Sequence, residues 1–86
     1  MNFKLRKSLF EILKNISDIN DYILEIHEEN DGVSFKIEKE NIQEVQLLIN
    51  DEIVLKGIDK HETVNELGIK LYKLYDEILY QKKNNK

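Results

Sequence analysis

The chain has no cysteine, no proline and no tryptophan, and only three serines, one threonine, two histidines and three glycines among its 86 residues. Without cysteine there is no disulfide framework, no thiolate metal ligand and no thiol nucleophile, which points to a reducing compartment, with the cytoplasm as the expectation. So few hydroxyls, and two histidines as far apart as His27 and His61, leave little from which to build a nucleophile with its base or a metal centre. The glycines Gly32, Gly57 and Gly68 are isolated, and Lys56-Gly57 lacks the pattern of a phosphate-binding loop. Long apolar runs are also missing. The basic-then-apolar start from Met1 to Phe10 is interrupted by Glu11, Lys14 and Asn15 before a signal-peptide core could form. The expectation is a protein with no membrane segment, no cofactor, no metal and no catalytic residue, hence not an enzyme.

What the chain does contain is a mixture suited to one small core. Apolar residues make up 41% and charged residues 35%, which favours a folded chain over a disordered one. A second core would leave each half too small to support itself, so residues 1–83 read as a single domain and 84–86 as a fraying basic tail. The net charge of -4 hides an uneven layout. Residues 1–17 carry Lys4, Arg6, Lys7 and Lys14 against Glu11, a balance of +3, whereas residues 18–44 carry nine acids against Lys36 and Lys39, a balance of -7. The remainder holds seven charges of each sign.

Apolar spacing predicts the elements. Leu5, Leu9, Ile12, Leu13 and Ile16 recur at three and four, predicting a helix over 3–17. From Asp21 the period changes to two: Tyr22, Leu24 and Ile26, then Val33, Phe35 and Ile37, predict two strands joined through Asn30-Asp31 or Asp31-Gly32. Residues 43–58 fit both periods. The alternation of Val45, Leu47 and Ile49, then Ile53 and Leu55, with Gly57 unfavourable to a helix, favours a third and fourth strand. Thr63 with Glu66 three residues on is a capping-box signature that opens a final helix along Val64, Leu67, Leu71, Leu74, Tyr75 and Ile78. The predicted fold is therefore α+β in two layers: an N-terminal helix, a four-stranded antiparallel meander and a C-terminal helix. Its uncovered sheet face would carry His27, Lys36, Gln46 and Lys56, then Glu25, Glu38, Glu44 and Ile58, then Ser34, Leu48 and Val54.

Catalytic patterns fare poorly against this layout. Glu28, Glu29 and Asp31 sit at a hairpin tip, not across a sugar-binding cleft. Read as a calcium loop with Gly32 sixth, the run from His27 to Glu38 lacks the first acid. The helix, sheet, helix order resembles the double-stranded-RNA-binding domain in architecture. That module grips phosphate with lysines opening its second helix, where this chain has His61-Glu62-Thr63-Val64-Asn65-Glu66.

Two candidate docking surfaces remain. One is the acidic hairpin and sheet face, with Glu25, Glu28, Glu29, Asp31, Glu38, Glu40 and Glu44. The other is an exposed set on the last helix, Ile69, Tyr72, Asp76 and Tyr80, since tyrosines beside acids are common in interfaces. The expected function is a small acidic protein-binding module, an inhibitor or regulator of a partner with a basic, nucleic-acid-binding surface. In size and charge it resembles the inhibitors that phages and mobile elements carry against CRISPR or restriction enzymes, a resemblance of class that no residue motif carries. An RNA-binding or ribosome-associated module using Arg6, Lys7 and Lys14 beside Phe3 and Phe10 is the first alternative, although the acidic hairpin disfavours nucleic acid. A structural homodimer is the second.

Overall fold

In the computed structural model, which describes residues 1–58 and 63–84, the N-terminal segment is divided between a strand and a helix. Strand β1 spans Asn2–Leu5 and helix α1 spans Lys7–Lys14, with Arg6 extended between them. The helix expected over 3–17 is thus corrected at both ends. Phe3 and Leu5 satisfy a two-residue period, and the strand buries both while Lys4 stays outside. Leu9, Phe10 and Leu13 form the buried face of the shorter α1.

The hairpin forms as the alternation predicts. Strand β2, Leu24–Glu29, turns through Asn30 and Asp31 into β3, Gly32–Lys36, because Glu29 pairs with Gly32. Neither loop residue has a positive φ, so the turn is not of type I′. β1 pairs antiparallel with the other edge of β3, placing Phe3 opposite Phe35 and Leu5 opposite Val33, so the sheet order is β1-β3-β2. β2 carries a correction of its own. An extra residue between Leu24 and His27 shifts the register, with Glu25 in the left-handed region at φ 50°. The bulge moves Leu24 onto the face of Lys36, so Leu24 is exposed and Ile23 takes the buried place, while Ile26 is exposed on an edge strand whose residues all face solvent.

The larger correction lies at 42–58. Helix α2 spans Ile42–Lys56, so neither a third nor a fourth strand of a meander exists there. A meander would need the free edge of β3, and β1 occupies it. With the edge of β3 taken and that of β2 broken by its bulge, the segment satisfies its backbone internally. As a helix it buries Ile42, Val45, Ile49 and Ile53 at spacings of three and four. The four-stranded arrangement is thereby replaced by three antiparallel strands and three helices. The cross-strand rows that drew Glu44, Gln46, Leu48, Val54, Lys56 and Ile58 onto the sheet do not form. Gly57, expected to weaken a helix, instead follows its last residue.

Helix α3, Glu66–Asn84, opens later than Thr63. The Asn65 side chain caps it by accepting the Gly68 amide at 2.8 Å, and its Nδ2 donates to the Lys56 carbonyl at 2.9 Å. One residue therefore starts α3 and ties it to the end of α2. The two helices meet here on glycine: a Cβ added to Gly57 would lie 2.8 Å from the Cα of Gly68, and one added to Gly68 would overlap the Gly57 carbonyl. α1 and α3 cover β1 and β3, and α2 lies against α3. Leu71, Leu74 and Ile78 of α3 join Phe3, Phe10 and Phe35 in the core between the layers. His61 and Glu62, used in the RNA-binding comparison, and residues 85–86 of the expected tail lie outside the described residues.

Candidate binding surfaces

The seven acids of the first candidate surface are not one patch. Lys4 projects from the outer face of β1, opposite Ser34 on β3. From there its Nζ reaches both Glu29 and Asp31, each at 2.9 Å, while the Ser34 hydroxyl donates to Glu29 at 2.8 Å. The Lys4 ammonium holds both carboxylates below their ordinary pKa values, with the Ser34 bond adding to the effect on Glu29, and the two acids in turn raise Lys4. Two of the seven acids are thus committed inside the molecule. Glu25, at the bulge, lies 4.0 Å from the Lys36 Nζ. Glu28, Glu38, Glu40 and Glu44 make no ion pair among the described residues. Glu44 sits in the first turn of α2, where the helix dipole favours an acid, and not on the sheet. Lys4 was invisible as a partner in the sequence because 3–17 read as helix.

A titration follows from this geometry. Because Glu29 and Asp31 are depressed in the folded state, their contribution to stability is present above the unfolded carboxylate range and fades as the pH falls through the lowered folded values, below about pH 4. The Lys4→Met variant is expected to raise both carboxylates toward ordinary values in a carbon-13 NMR titration, leaving only the smaller depression from Ser34 on Glu29 and from a backbone hydrogen bond on Asp31. Unchanged low values in that variant would show that another group causes the shift.

The edges of the sheet are treated differently. On β1, the Lys4 amide donates to Gln81 Oε1 at 2.9 Å and Gln81 Nε2 donates to the Lys4 carbonyl at 2.7 Å. A side-chain amide of α3 therefore occupies the place of a neighbouring strand and closes this edge. The β2 edge is blunted instead by its bulge and its glutamates.

The second candidate set lies together on α3. At 100° per residue Ile69, Tyr72, Asp76 and Tyr80 fall within roughly 80° of one another on the side away from Leu71, Leu74 and Ile78. Ile69, Tyr72 and Tyr80 are 49%, 45% and 63% exposed. Sequence reasoning missed what stands beside them. α2 is apolar around most of its circumference, and opposite its buried stripe Leu47, Val54 and Leu55 are 51%, 62% and 75% exposed. The seam between the helices is registered at two points, the Gly57–Gly68 contact and a 3.5 Å bond from Lys82 Nζ to Gln46 Oε1. That register sets Val54 level with Tyr72, and Asn50 level with Asp76. Leu47 and Val54 therefore stand level with the α3 surface across the seam, with Glu44, Asp51, Asp76 and Lys83 as the charged groups of the two faces.

Tyr80 and Asp76 also border a groove of about 740 Å³ between α3 and the β1–α1 corner, lined as well by Leu5, Arg6, Ser8, Leu9, Ile12, Lys70, Lys73 and Glu77. Phe3 and Phe10, which the RNA-binding reading set beside the basic residues of α1, are buried, with ring centroids 5.8 and 5.4 Å from that of Phe35. They offer no stacking platform for bases. No group of three or more His, Asp or Glu is placed to hold a metal among the described residues, and no described helix is long and apolar enough to cross a membrane. No family model, no curated protein and no solved structure matches the chain.

Proposed function

We propose that this chain is a non-enzymatic protein-binding module that docks its partner on the solvent side of the α2–α3 hairpin, and that the partner presents an apolar patch with a basic rim. The observation that carries this reading is α2 itself. A surface helix ordinarily confines its apolar residues to the face it buries, yet α2 packs on α3 and leaves Leu47, Val54 and Leu55 in solvent opposite that face. Ile69 and Tyr72 continue the same surface. The basic rim follows from the balance of charge: against Lys83 on the α3 face, Glu44, Asp51 and Asp76 edge the patch without an ion-paired cation, and Glu38 and Glu40 lie just before α2. A module of this kind acts by occlusion, covering the basic surface of a cytoplasmic nucleic-acid-binding protein. Its association rate falls with salt because exposed charges steer the encounter.

The test compares wild type with the Leu47→Asp, Val54→Asp double variant, immobilised as bait and followed by light scattering. Both side chains are exposed, so the melting temperature should stay close to that of wild type. A partner retained by wild type at low salt and lost from the variant supports the reading. The same partner retained by both overturns it. A wild-type mass of two chains that the variant reduces to one replaces it with the homodimer.

A further inference from the structure

We propose that the groove between α3 and the β1–α1 corner is a binding site for a small amphipathic anion, a carboxylate carried on an apolar acyl or aryl body. The site opens beside the hairpin surface, and Asp76 and Tyr80 border both.

The first observation concerns where the unpaired cations are. Lys4, Lys14, Lys36 and Lys56 each have a carboxylate within ion-pair distance, although the chain as a whole is acidic. Seven described cations have none: Lys7, Lys39, Lys82 and Lys83 lie elsewhere, but Arg6, Lys70 and Lys73 all line this one groove, where Lys4 joins them from its pairs with Glu29 and Asp31. They come from segments far apart in sequence, so only the packing of α3 beside the β1–α1 corner brings them together. Asp76 and Glu77 also line the groove and offset part of this charge, Glu77 accepting from Gln81 Nε2 at 3.3 Å, so the cations outnumber the acids in the lining.

The second observation is the floor. Leu5 and Leu9 belong to the core, and Ile12 is half-buried against it, so the bottom of the groove is aliphatic and already held in place by folding. Tyr80, largely exposed, stands at the wall with an apolar ring and a polar tip. A volume of about 740 Å³ is in the range of small-molecule sites. An apolar floor alone would accept any hydrophobe, and cations alone would accept any anion. Their combination selects a molecule with both parts, its chain along Leu9 and Ile12 and its head among Arg6, Lys70 and Lys73. Arg6 supplies a planar fork suited to two carboxylate oxygens, and the lysines add charge without fixed geometry. The corner adds no competing negative charge, since the first turn of α1 contains no acid.

The experiment is a proton–nitrogen NMR titration of the whole chain with three probes: sodium decanoate, decyltrimethylammonium bromide and sodium phosphate. Decanoate is expected to give saturable shifts at the amides of Leu9, Ile12 and Lys73, leaving Leu47 and Val54 unmoved. The Arg6→Glu, Lys70→Glu, Lys73→Glu variant is expected to weaken decanoate binding roughly tenfold or more. The milder Lys70→Gln, Lys73→Gln pair is expected to weaken it less, with the melting temperature unchanged. Equal shifts with the decyl cation would overturn the role of the cations. Phosphate reproducing the decanoate shifts would overturn the role of the floor, and absence of saturation with decanoate would remove the site.

Discussion

Replacing Phe35 by alanine is expected to remove about 3–5 kcal/mol of stability, the largest loss from any single truncation here. Phe35 is 2% exposed and belongs to the central strand. It meets Phe3 of the neighbouring strand in a stacked arrangement and Phe10 of α1 in a tilted one, so its ring joins strand to strand and sheet to helix. Removing it leaves a cavity under α1 that neither neighbour can fill without leaving its own place, and the cost of such a cavity adds to the lost transfer energy. A domain of this length has a total stability of roughly 4–13 kcal/mol at the usual amount per residue, so the loss is a large share of the whole. Urea denaturation of wild type and variant measures it. A midpoint that stays in place would mean that Phe35 is not at the centre of the core.

The second large effect is expected from Gly68→Ala, and its sign is opposite to that of helix propensity. In the interior of an isolated helix the change would gain about 1 kcal/mol. Here the new methyl would meet the carbonyl of Gly57, part of the backbone of another element, as well as the Val64 side chain. Val64 can turn aside, but the carbonyl moves only if the end of α2 moves with it. That end is tied to α3 by Asn65, which bonds both the Lys56 carbonyl and the Gly68 amide. The net expectation is a destabilisation of about 1–3 kcal/mol, as for other overpacked contacts. A variant as stable as wild type would show that the helices separate at no cost.

How much of this was legible without coordinates varies by element, for physical reasons. The hairpin was legible because Val33, Phe35 and Ile37 alternate cleanly and the link is short and polar. α3 was legible because its apolar residues repeat at helical spacing over many turns, and the same period put Ile69, Tyr72, Asp76 and Tyr80 on the side away from the core. β1 was not, since four residues with two apolar positions fit a strand or the start of a helix equally well. The face of β2 was hidden by a bulge at Glu25, a residue with no local signal for positive φ. At α2 both periods were present in the letters, and the alternation of Leu47 and Leu55 with their neighbours favoured the wrong one. The cluster of Lys4 with Glu29 and Asp31 could not be found until residue 4 had been placed on a strand beside β3.

The sequence by itself determined the size of the core, the polar and charged composition, the poverty in catalytic groups, the hairpin and the long final helix, because these depend on composition and on local periodicity. Only the tertiary structure decided that β1 takes the free edge of β3, and that decision turned 42–56 into a helix with an apolar side left in solvent. It also gathered Arg6, Lys70 and Lys73 around one groove and divided the acids into those paired within the molecule and those left outward. The physical reason is that edge pairing and charge pairing are competitions between distant segments, settled by which combination gives the lower free energy for the whole fold. No local pattern of residues encodes that outcome.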